Sequence, residues 1–159
     1  MRSLARNELA LVEAQATTSA AAEDVWQVLA DPYSYARWVH GTARIRAADP
    51  SWPAPGSRLQ HTFGPRPWRV RDMTTVLQAQ PPRRLVLAAH ARPLGTVTAE
   101  IVLSAEPDGT RIVLRENLRT GLGALLPRAG RAVQCHRLRR SVRALAALSQ
   151  HPSTASTRP

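Results

Sequence analysis

The sequence predicts an α+β fold: a curved antiparallel sheet of seven strands wrapped around one long C-terminal helix, with two short helices after the first strand. Three observations lead there. Seven short segments of alternating or β-branched residues are separated by Pro, Gly and Asp breaks. The one long stretch with helical periodicity runs roughly over 131–149, where Cys135, Leu138, Val142 and Leu145 fall at offsets 0, 3, 7 and 10. A sheet with one apolar face needs a cover, and this helix is the only long element available to supply it.

Leu9 to Thr18 reads as the first strand. Ser19 is the expected helix N-cap, with Glu23 near the positive helix end. Ala22, Val25, Trp26 and Leu29 then give the spacing of a short amphipathic helix. Asp31-Pro32 restarts a second helix, with Asp31 as cap and Pro32 in the first position, and Gly41 ends it. Tyr33, Ala36, Trp38 and Val39 ride on this helix.

Strands are expected at Thr42–Ala48, Arg58–Phe63, Trp68–Leu77, Leu85–Ala91, Thr96–Ser104 and Thr110–Leu118. Three prolines between Asp49 and Gly56 make that stretch a loop. Asp108-Gly109 between alternating runs predicts a two-residue hairpin turn with both central residues at positive φ. Gly121–Gly130 has helical leucines out of phase with the last helix, and Pro127 and Gly130 mark a break. One domain over 1–150 and a disordered polar tail over 151–159 are expected.

A chain of 159 residues, 43% hydrophobic, is one domain's worth of globular protein. No apolar run approaches the roughly 18 residues of a membrane span. Arg6 and Glu8 interrupt any export signal, so a cytoplasmic protein is expected. Cys135 is the only cysteine, which excludes an internal disulfide, and the histidines show no metal-ligand spacing. No metal and no cofactor are expected, and no Gly-rich phosphate loop or nucleophile elbow is present.

The net charge of +11 comes from 22 basic residues, every one an arginine, against 11 acidic. The arginines are spread along the chain, so nucleic acid is not an expected partner. Only Arg137, Arg139, Arg140 and Arg143 cluster, on the predicted outer side of the last helix. A solvated face outweighs contact with an anionic membrane there. A monomer or a homodimer is equally compatible.

Two stretches carry a family resemblance. One is Ala21-Ala22-Glu23-Asp24-Val25-Trp26-Gln27-Val28-Leu29-Ala30-Asp31-Pro32 followed by Tyr35-Ala36-Arg37-Trp38-Val39. The other is Pro81-Pro82-Arg83-Arg84-Leu85 with Leu103, then Glu106-Pro107-Asp108-Gly109-Thr110-Arg111-Ile112. Both resemble the SRPBCC superfamily (START and birch-pollen-allergen-like), and its polyketide cyclase/dehydrase branch in particular. The resemblance spans roughly residues 8 to 149. It implies the helix-grip fold, with a cavity for a hydrophobic small molecule between sheet and last helix. Its members include aromatase/cyclases and carriers of lipids and hormones, and no universal catalytic signature can be carried over.

In such a fold, alternation chooses the residues that face the cavity. Leu59, His61 and Phe63 share a face, as do Val70, Asp72, Thr74 and Val76. Leu87, Ile101, Leu114 and Glu116 face in from the later strands, and Cys135, Leu138 and Val142 from the helix. His40 is expected near the cavity rim, where a capping or solvent role outweighs ligand contact, and Trp38, also a ligand-binding candidate, reads as a packing aromatic. The hairpin after Phe63 pairs Phe63 with Val70, His61 with Asp72 and Leu59 with Thr74, which brings opposed Cβ atoms to roughly 4.5–5.5 Å. A carboxylate beside an imidazole can orient it and raise its basicity, so His61 and Asp72 are the candidate catalytic pair for proton transfer. The plainer reading, in which they satisfy each other at a wet cavity mouth, carries more weight. Glu116 needs a partner, because an unpaired buried carboxylate is costly.

The resulting expectation is a binder of a hydrophobic small molecule, polyketide cyclase/dehydrase-like. The alternatives are a non-catalytic carrier or sensor of such a ligand, or a basic module contacting anionic membrane.

Overall fold

A computed structural model describes residues 11–91, 95–118 and 128–151. The elements in chain order are β1 (Leu11–Thr18), α1 (Ala22–Ala30), a 3₁₀ turn (Pro32–Ser34), α2 (Tyr35–Trp38), β2 (Thr42–Ala48), β3 (Arg58–Phe63), β4 (Val70–Gln80), β5 (Arg84–Ala91), β6 (Gly95–Glu106), β7 (Gly109–Leu118) and α3 (Arg128–Gln150). The strands form one antiparallel sheet in the order β1-β7-β6-β5-β4-β3-β2. The first strand pairs with the last because the two helices carry the chain from one edge of the sheet to the other. This is the helix-grip architecture expected from the sequence. The unclear stretch around Gly121 and the tail beyond His151 fall almost wholly outside the described residues.

The inner face holds the core. Leu59, Val76, Leu85, Leu87, Ile101, Leu103, Ile112 and Leu114 from the sheet pack against Val25 and Leu29 of α1 and Leu138, Val142 and Leu145 of α3. The outer face carries charges that pair across strands. Arg115 on β7 meets Glu13 of β1 at 2.6 Å and Glu100 of β6 at 3.5 Å, and Glu100 also meets Arg84 of β5 at 2.6 Å. Opposite charges on neighbouring strands favour this register over a one-residue slip, which would turn the slipped strand's outward charges inward.

Two local expectations are corrected. Ser19 does not cap α1: the cap position is Ala21, and no side chain bonds there. Thr18 and Thr110 tie this corner instead, Thr18 donating to the Ala146 carbonyl at 3.1 Å and Thr110 to the Ala20 carbonyl at 2.8 Å. The last hairpin does not turn on Asp108-Gly109. Glu106 pairs with Gly109, so Pro107 and Asp108 are the turn residues, and no non-glycine residue has positive φ among the described residues. Proline presets the first turn position, which explains the shift by one residue. Gly109 instead begins β7 at φ +142°, where a Cβ would meet the Thr18 carbonyl oxygen at 1.9 Å.

Other expectations hold closely. Asp31 does cap the second helical segment, its Oδ1 accepting from the Tyr33 amide at 2.9 Å, although the segment opens as a 3₁₀ turn. The proline loop after β2 is anchored by Trp52, whose indole donates to the Leu29 carbonyl at 3.1 Å. No helix among the described residues is long and apolar enough to cross a membrane.

Candidate functional site

Burial along the inner face is graded. At one end, Leu59, Val76, Leu85, Ile112 and Leu145 are buried on all sides. At the other, Phe63, Ala89, Val97 and Ala99 occupy inward-facing positions in the same strand registers but are only half-buried, as are Gln134 and Cys135 at the start of α3. Among the described residues, these inward-facing apolar side chains that keep solvent contact define the open end of the inner face. The polar residues of the inner face lie at the boundary between its packed and open parts.

The register there is the one that loop length predicts: Phe63 opposes Val70, His61 opposes Asp72 and Leu59 opposes Thr74. Side-chain bonding differs. His61 Nε2 lies 3.9 Å from Asp72 Oδ2, too far for a hydrogen bond, and 3.0 Å from Thr74 Oγ1. Tyr35 Oη lies 3.2 Å from the same threonine oxygen. Thr74 therefore links Tyr35 to His61. It can accept from the phenol and donate to the imidazole, or accept from the imidazole and donate to the phenol. His61 Nδ1 is buried and has no partner among the described residues. Asp72 accepts instead from the Met73 amide at 2.6 Å.

The electrostatics follow from this geometry. His61 is 2% exposed. Burial, with a smaller contribution from the Arg46 guanidinium, pushes its pKa down to about 4. The imidazole is thus uncharged at neutral pH, contrary to the expectation that Asp72 would raise its basicity. Burial raises the Asp72 pKa, partly opposed by its bond to the Met73 amide. Burial also pushes the Tyr35 phenol up to about 12, so it stays protonated.

Glu116 has its partner. Arg137 forms an ion pair with Glu116 Oε2, and Gln134 Nε2 lies 3.4 Å from the same oxygen. This corrects the placement of Arg137 on the outer side of α3. Its guanidinium carbon also sits 5.8 Å from the Phe63 ring centroid, within cation–π range. Gln134, Arg137 and Ser141 are at offsets 0, 3 and 7, a second inward row beside Leu138 and Val142. That spacing is visible in the sequence, but the positive charge argued against placing the row inside.

The remaining candidates divide into two groups. Leu59, Leu87, Ile101, Leu114, Leu138 and Val142 are core residues, packed beneath the polar cluster. Trp38 and His40 line a cleft of about 280 Å³ between α2 and α3 that Arg140 also lines, and the Trp38 ring packs edge-on against Tyr35, with centroids 5.4 Å apart. The His40 amide donates to Ser141 Oγ at 2.9 Å. Burial, then the charges of Arg140 and Arg137 and the nearby His136, lower the His40 pKa. Tyr35 was not among the sequence candidates. Its neighbour Tyr33 fitted the helical spacing, yet Tyr33 is exposed and Tyr35 is buried.

Comparison with known proteins agrees with this architecture. Residues 10–150 match the family model described as polyketide cyclase / dehydrase and lipid transport. Among solved structures, protein CV1439 from Chromobacterium violaceum superposes with a TM-score of 0.65 at 19% identity, covering 87% of this chain and 96% of its own. Ara h 8.0201 gives a TM-score of 0.70 at 12% identity, covering 88% and 97%. DynU16, from the dynemicin biosynthetic locus, gives 0.61 at 15% identity, covering 89% of this chain and 48% of its own. At these identities the likeness is one of fold. No curated protein matches the chain in sequence. Family match, strand order and gripped helix together make this chain a member of the polyketide cyclase / dehydrase and lipid transport family, within the hydrophobic-ligand-binding SRPBCC superfamily.

Proposed function

We propose that the protein binds a hydrophobic, carbonyl-bearing small molecule at the open end of the inner face and promotes its cyclisation or dehydration by proton transfer through His61. The observation that carries this reading is an uncharged, buried imidazole with an unpaired Nδ1 beside half-buried apolar residues. In a dehydration, a neutral imidazole takes the proton from carbon next to a carbonyl. The carbon–oxygen bond to a β-hydroxyl then breaks, and the same proton leaves with that oxygen as water. Asp72, 3.9 Å away, stabilises the transient imidazolium by charge without holding the ring. The Glu116–Arg137 pair offers polar contacts to ligand oxygens. A base titrating near 4 is weak. The reading therefore needs an acidified C–H, as between two carbonyls, which is the chemistry of polyketide-like chains.

The weakness of that base is also the observation that favours a second reading, a carrier in which the polar cluster only orients the ligand. Mass spectrometry of small molecules that co-purify from the native host tests both. Recovery of an aromatic or polyketide-like compound, with turnover abolished in a folded His61→Leu variant, supports catalysis. A fatty acid or isoprenoid, bound equally by that variant, supports the carrier.

A further inference from the structure

The β3–β4 hairpin lies at the open end of the inner face, and its loop carries an aromatic side chain that stands exposed among the described residues. Trp68 is 77% exposed and Val70 40%. Trp26, Trp38 and Trp52 are half-buried or buried, so Trp68 is the exception. Three arginines flank it, Arg66, Arg69 and Arg71, all exposed, and no acidic residue lies between Gly64 and Arg71. No ion pair joins these three to another described residue. At the hairpin base the Gly64 amide donates to the Gly41 carbonyl at 2.9 Å. Gly41 belongs to the cleft that also holds Arg37, His40 and Arg140, with no carboxylate in its lining. The cationic surface therefore continues from the hairpin into this cleft.

We propose that the hairpin docks the protein onto an anionic lipid bilayer, with Trp68 in the interfacial layer and the surrounding arginines against lipid phosphates. Tryptophan favours that layer because its ring is apolar and its N–H is polar. Arginines beside it supply the attraction to anionic headgroups, and the net charge of +11 reinforces it. A second copy of the chain is a poorer occupant, since a two-fold contact would bring the same arginines together. Docking in this way would turn the open end of the inner face toward the membrane, the source of an apolar ligand. This inference does not depend on whether that ligand is turned over.

Sedimentation of the full chain with phosphatidylcholine vesicles, with and without phosphatidylglycerol, tests it. Binding is expected only with the anionic lipid, weakening as salt rises, with a blue shift of tryptophan emission. Trp68→Ala should bind more weakly and lose the shift while keeping the native circular dichroism spectrum. Replacing Arg66, Arg69 and Arg71 together by glutamine should weaken binding on the order of a hundredfold. Absence of vesicle binding by the native protein would overturn the proposal. So would vesicle binding by Trp68→Ala equal to that of the native protein. A native dimer that Trp68→Ala converts to monomer would do the same, because the patch would then be a contact between copies.

Discussion

Acidification should weaken this fold through His61, by an amount the geometry sets. The imidazole titrates at about 4 when folded and near its ordinary 6.5 when the chain is unfolded. Between those values the unfolded chain binds more protons, so stability rises with pH across this window and is fully present above 6.5. Lowering the pH from 7 to 5 should cost about 2 kcal/mol, and going below 4 about 3 kcal/mol in all. Asp72 acts in the opposite sense. Its raised pKa favours the protonated carboxyl in the folded state, so its contribution diminishes as pH rises above the ordinary 3.8. His40, also lowered, acts in the same direction as His61. The difference between native protein and His61→Leu isolates the one group. The assay is urea unfolding of both proteins at several pH values from 7.5 to about 4.5, chosen to bracket the window. The native midpoint should fall toward acid, and the leucine variant should lose most of that fall. Parallel curves for the two proteins would refute a buried neutral imidazole, as would an imidazole NMR titration near 6.5.

Three further outcomes are expected from the same structure. Arg137→Met leaves Glu116 buried without its cation and should cost up to about 3 kcal/mol, whereas adding Glu116→Leu should recover much of it in a double-mutant cycle by denaturant unfolding. If the two costs simply add, the pair is not coupled. Thr74→Val removes the oxygen shared by Tyr35 and His61 and should destabilise by about 2 kcal/mol, against about 1 kcal/mol for Tyr35→Phe, which leaves the threonine–imidazole bond in place; equal losses would count against Thr74 as the link. Gly109→Ala drives a Cβ into the Thr18 carbonyl oxygen and should lower the thermal midpoint far more than Gly56→Ala, whose Cβ would meet open space.

Much of the fold is legible in the chain because it rests on short-range patterns. Alternation places Leu59 and His61 on the same face, and the length of the loop after Phe63 sets the register that puts His61 across from Asp72. The turn at Pro107-Asp108 is misread by one residue because Asp-Gly and Pro-Asp are both turn signals and overlap here. At the site, the polar exceptions on the inner face are recognisable from the same alternation. Their bonding is not. Tyr35 reaches Thr74 across 39 residues of chain, and Arg137 reaches Glu116 across 21.

Sequence alone therefore determined the strands, the gripped helix, the register of the β3–β4 hairpin and the inward polar residues of the sheet, since each follows from periodicity and loop length. Tertiary structure decided that Thr74, not Asp72, holds the imidazole, that Arg137 turns inward to Glu116, and that the imidazole is uncharged at neutral pH. Hydrogen bonds require atoms within about 3 Å, a tighter condition than Cβ atoms about 5 Å apart across a register. Titration depends on how much water the whole fold removes from a group, which no local pattern encodes.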